Sequence, residues 1–357
     1  MATLTKAHNE WSRRPADERY SSLADMHAVA SAMRNTAKQS STVKAKHLRA
    51  VADGANVRVM GPTGYAVGLT NWSFGQLAGK AGAPAGYLQT LAPTLAADCL
   101  NAGLPGADGD ARLLLNSDAS GHMTARAITS DRYARIWNAD ITARLLDLEA
   151  GGVWQPAPAA FDGSRGLYLG DRDMFAFMVD NERRIFETLP GGGLSRGFFA
   201  WNSEVGAASF GIMTFLYEYV CGNHRVWGAK QVAEVRLRHV GEGLDHRAFS
   251  TLKATLINYA HTSANEDETR IERMRTIELG SNADDIVNQL FNRFKVPKKL
   301  AVQTVALADQ RQDWYGNPRS VWGIAGALTE IGRDMPNADE RVKVDRMGAR
   351  IMETVAF

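Results

Sequence analysis

Cysteine is nearly missing from this chain: Cys99 and Cys221 are the only ones among 357 residues. A disulfide scaffold is thereby excluded, and a reducing compartment is expected. Long apolar runs are missing too. No window approaches the roughly 18 apolar residues of a membrane span, so no membrane partner is expected. The opening stretch, MATLTKAHNEWSRRPADERY, has no apolar core of a secretory signal, which makes a cytoplasmic protein the expectation. Charge of one sign is not in excess, with 41 Lys and Arg against 39 Asp and Glu. A nucleic-acid partner would therefore have to be met by local clustering. Catalytic signatures are also lacking: there is no Gly-x-Ser-x-Gly elbow and no His-Glu-x-x-His pair. The Gly75–Lys80 stretch, GQLAGK, is one residue short of a phosphate-binding loop and has no Ser or Thr after the lysine. No cofactor is implied.

What is present reads as an α+β chain, with a mixed, largely antiparallel β-sheet core and a helical C-terminal region. Residues 1–52 read as a polar, basic arm, because Met26–Ala52 contains no Asp or Glu but holds Arg34, Lys38, Lys44, Lys46 and Arg49. Residues 53–240 read as the β-rich core. VRVMGPTGYAVGL predicts a hairpin around a Gly-Pro-Thr-Gly turn. SFGQLAGKAGAPAGYLQTLAP predicts short helices with Ser73 as an N-cap. ARLLLNSDASGHMTARAIT predicts a second hairpin, and Ser130–Tyr133 a polar turn opening the helix that carries Ile141, Leu145 and Leu148. From residue 241 to 357 the period becomes helical. Ile286, Leu290 and Phe294 form one stripe, and Val321, Ala325 and Leu328 another.

The most informative stretch is Phe210–His239, FGIMTFLYEYVCGNHRVWGAKQVAEVRLRH. Apolar residues on both sides of its first strand mean burial on both sides. Cys221 and His224 have Cys-x-x-His spacing, but no second pair accompanies them, so a structural zinc site is not predicted. Nor is a Cys–His nucleophile pair, since residues three apart at a strand end seldom aim at each other. Cys221 fits better as a small buried hydrophobe and Asn223 as a turn residue.

The cations of this stretch are Arg225, Lys230, Arg236 and Arg238, opposed only by Glu234 between Val220 and Val240. Strand alternation puts Arg236 and Arg238 on one side, about 7 Å apart, a spacing suited to successive phosphates of an extended strand. Trp227 is a candidate for base stacking, and His224 is counted with these cations as a nucleic-acid contact. Arg132 and Arg135 would extend this basic surface if they faced the same way. The ordinary structural alternative is an edge strand whose charges oppose aggregation.

Several segments together resemble the phage- and plasmid-borne domain-of-unknown-function family 932: EWSRRPADERYSSL, GQLAGKAGAPAGYLQTLAP, SDRYARIWNADI, WNSEVGAASF with VCGNHRVWGA and RLRH, and NPRSVWGIAGALTEIG. Cys-Gly-Asn-His-Arg departs from the more neutral sequence expected there, which leaves a role for His224 open. The resemblance implies a home on mobile elements and carries over no catalytic residue. The expected function is binding of nucleic acid, single-stranded DNA in recombination or annealing, by a homo-oligomer. The alternative is a protein-interaction module that meets a host protein, with an enzyme using Cys221 and His224 ranked last.

Overall fold

The computed structural model describes residues 15–157, 166–185, 193–218, 235–241 and 265–333, with separate positions within 243–259 and 344–353. It is an α+β fold, built on two sheets, with helices in the C-terminal region.

The first sheet runs in the order Arg19–Tyr20, Leu167–Leu169, Met174–Ile185, Leu194–Asn202, Phe210–Glu218, Val235–Leu237. Trp154–Pro156 also pairs with Met174–Ile185. Every pair is antiparallel. Strand Leu194–Asn202 is buried along its whole length, as a central strand covered on both faces requires. On one face Met174, Ala176, Met178, Phe198, Ala200, Phe210 and Ile212 pack under helices Leu23–Asn35 and Asn138–Ala150. On the other, register places Phe175 beside Trp201, Phe177 beside Phe199, and Trp201 beside Gly211. Phe177, Phe199 and Trp201 stack with centroid separations of 5.3 and 5.0 Å. Gly211 is required there, because a Cβ would lie 2.0 Å from the Trp201 ring.

The second sheet has the order Ala37–Gln39, Asp110–Ser117, Met123–Thr129, Ala66–Leu69, Asn56–Met60, Arg49–Asp53, and Val43–Lys44 adds to Asp110–Ser117. Its one parallel pair joins Ala66–Leu69 to Met123–Thr129. Both predicted hairpins form. Helices Asn71–Lys80 and Pro93–Gly103 close one face through Phe74, Leu77, Ala96 and Leu100. The edge strand Arg49–Asp53 is sealed at Ala50, whose N–H donates to Asn101 Oδ1 while Asn101 Nδ2 donates back to Ala50 O, both at 2.8 Å. A side-chain amide here takes the place of a further strand.

In the C-terminal region, Ile286, Leu290, Phe294, Val321, Ala325 and Leu328 enter one core, as their spacing predicted. That core also takes in Ile185 and Leu194, at the far end of two strands of the first sheet.

Three expectations need correction. The arm expected over residues 1–52 is structured wherever it is described: Leu23–Asn35 is a helix burying Leu23, Met26 and Ala30, and residues 37–44 pair with Asp110–Ser117. Apolar spacing within a basic stretch outweighed its charge. Thr70, not Ser73, caps Asn71–Lys80; Ser73 is its reciprocal partner in a capping box. Ser130 and Asp131 do not open the next helix, which starts at Asn138 after an extended run.

Candidate nucleic-acid interface

Residues that looked unrelated in the sequence converge on the loop from Asn202 to Ser209. Glu204, 1% exposed, is its centre. Its Oε2 accepts from Arg126 Nη1 at 2.9 Å, and its Oε1 accepts from the backbone N–H of Asn138 at 2.8 Å. The carboxylate thus neutralises a buried guanidinium and caps the first amide of helix Asn138–Ala150, where the helix dipole favours negative charge. Asn202 Nδ2 donates to Ile136 O and to Asn138 Oδ1. Tyr133 donates its hydroxyl to Ser203 O at 2.7 Å, and Trp72 and Gln76 both donate to Val205 O.

A second link brings in the end of the first sheet. Tyr133 and Val240 form an isolated antiparallel bridge, and Ala134 N–H donates to His239 O at 2.9 Å. His239 Nδ1 lies 3.0 Å from Ala134 O; a carbonyl only accepts, so this nitrogen carries the proton. The His239 ring stacks on Tyr133 at 4.9 Å. Burial pulls the His239 pKa down to about 4, with Arg135 adding to the effect against the hydrogen bond to Ala134.

Tyr133, Arg135 and Trp137 alternate along the extended run before the helix, and the Arg135 guanidinium stacks on both rings, 5.2 Å from Tyr133 and 5.7 Å from Trp137. Arg34, paired with Asp140, stacks on Trp137 in turn. The result is a ladder of alternating rings and cations.

The residues expected at the interface separate into four groups. Arg132 and Arg238 are exposed, stand beside the two ends of the Tyr133–Val240 bridge, and pair with no carboxylate among the described residues. Arg236 lies in strand Val235–Leu237 opposite Gly211; the strand ends at Leu237, so the alternation expected to align Arg238 with Arg236 stops one residue early. Arg135 is the correction. It is 8% exposed, a buried cation where an exposed one was expected. His224, Arg225, Trp227 and Lys230, together with Cys221, lie outside the described residues.

Sequence reasoning missed Glu204, a lone carboxylate in an apolar run, and Arg172, which is exposed and stacks 5.2 Å from Trp72 on the same loop system. It also missed the exposed run Arg293, Lys295, Lys298 and Lys299, on a turn anchored by buried Phe294, Val296 and Leu300. Among the described residues, no three His, Cys, Asp or Glu side chains converge as metal ligands would, and no helix is long and apolar enough to cross a membrane. Comparison with family models, curated proteins and solved structures returns no match.

Proposed function

We propose that this chain binds a polyanion, single-stranded nucleic acid, on the surface that flanks the Tyr133–Val240 bridge, through Arg132 at one end and Arg238 at the other. The observation that carries this reading is the Tyr133–Val240 bridge, which joins two basic segments more than 100 residues apart in sequence, with both Arg132 and Arg238 exposed and paired with no carboxylate among the described residues. Cations held on cross-linked backbone segments suit phosphate contacts, which position a strand without reading its bases. Arg172 over Trp72, on the neighbouring loop, adds a cation beside an aromatic face. The sequence resemblance supports an origin on a mobile element, and recombination or annealing is the setting we assign. Annealing needs no covalent chemistry. Several copies would assemble along one strand, because a site of this size holds few phosphates.

Fluorescence anisotropy with a labelled single-stranded oligonucleotide across a salt series tests the reading. Binding should weaken linearly in log–log form as salt rises. No binding at low salt, or binding indifferent to salt, overturns it.

A further inference from the structure

The Arg135 guanidinium has no hydrogen-bond acceptor at any of its three nitrogens: Nε, Nη1 and Nη2 are all buried and unpartnered among the described residues. An arginine does not shed its proton to escape this, so the group remains a buried cation. The rings of Tyr133 and Trp137 cover it from 5.2 and 5.7 Å, and such stacking engages its face but not its N–H edges. Glu204, the carboxylate that acts on it, already holds Arg126 and the Asn138 amide. Arg126 and Arg112 are near enough to oppose its charge further. The node therefore has more buried positive charge than its carboxylate neutralises, and it presents an unused planar fork of donors. His239 Nε2 and Asn202 Oδ1 in the same node are also buried and unpartnered.

We propose that Arg135 is an internal oxyanion site that takes a phosphate group through its N–H edge, between the rings of Tyr133 and Trp137. A planar donor fork matches two oxygens of a phosphate or carboxylate. The surplus of guanidinium groups favours the more highly charged phosphate. The nitrogens are closed from water, so entry requires local opening. Opening would part the isolated Tyr133–Val240 bridge together with the two Ala134–His239 hydrogen bonds beside it. The phosphate is either free in solution or part of a polynucleotide backbone seated on Arg132 and Arg238.

The test uses the full chain and inorganic phosphate, with chloride matched for ionic strength. Thermal unfolding of the wild type should rise by roughly 2–4 °C at saturating phosphate, and the phosphorus resonance of inorganic phosphate should broaden on adding protein. Arg135→Met should abolish both effects and be at least as stable as wild type without phosphate, because it removes an uncompensated buried charge. Arg135→Lys, which keeps the charge but not the fork, should weaken the response at least tenfold. No phosphate-specific response in the wild type, or one that persists in the variants, overturns the site. The double variant Arg132→Ala/Arg238→Ala separates the two sources. A phosphate response that survives it while oligonucleotide binding is lost assigns a free-phosphate site and keeps both readings. A wild type that binds oligonucleotide but not phosphate defeats this site alone.

Discussion

Glu204 carries two burdens with one carboxylate, and its replacement measures both. Glu204→Gln keeps an oxygen for the Asn138 amide but leaves Arg126, 5% exposed, without an anion. The expected loss is about 3 kcal/mol, read from a denaturant midpoint; less than about 1 kcal/mol would show the pair to be dispensable. His239 gives a pH signature. Its folded pKa of about 4 lies below its unperturbed value of 6.5, so the unfolded chain takes up the proton first. Stability from this residue is complete above pH 6.5, falls between 6.5 and 4, and levels off below that, for a total of roughly 3 kcal/mol. His239→Gln should flatten that window in stability measured against pH, and an unchanged slope would contradict the burial argument. Neither role was legible in the sequence. Glu204 stands 66 residues from the amide it caps, and nothing in RLRH tells a buried histidine from an exposed one. Arg135 misled for a related reason. Its neighbours Tyr133 and Trp137 are as consistent with a surface stacking site as with the enclosed ladder they form.

Elements were more readable, because periodicity reports burial directly. Hairpins, the helix carrying Ile141 and Leu145, and the C-terminal stripes all follow from apolar spacing. Helix starts were less so: Thr70 and Ser73 share one capping box, and the helix at Asn138 is capped from another segment. The aromatic face of the first sheet makes the sharpest element-level prediction. Gly211→Ala drives a methyl group to 2.0 Å from the Trp201 ring, between paired central strands that cannot part. It should cost about 3 kcal/mol. Gly61→Ala, with nothing within 4 Å, is the control and should change thermal stability little. Equal effects would mean that strand Phe210–Glu218 is not held against Trp201 as described.

For the whole molecule, a net charge of +2 makes binding a question of where cations gather rather than how many there are. Two segments remote in sequence supply Arg132 and Arg238, and the surrounding polar node holds them in place. The basic character of RLRH was legible in the sequence, with aromatics nearby. That the segments of Arg132 and Arg238 lie side by side was not, since it depends on a tertiary bridge. The measurement closest to the central claim compares salt dependence of single-stranded oligonucleotide binding in wild type, Arg132→Ala/Arg238→Ala, and the charge-matched control Lys298→Ala/Lys299→Ala. Each lost phosphate contact should lower the log–log slope by about 1, so the first variant should fall by about 2 while the control keeps the wild-type slope. Equal losses in both would reduce the interaction to diffuse charge, and an unchanged slope in the first variant would remove nucleic acid from this surface.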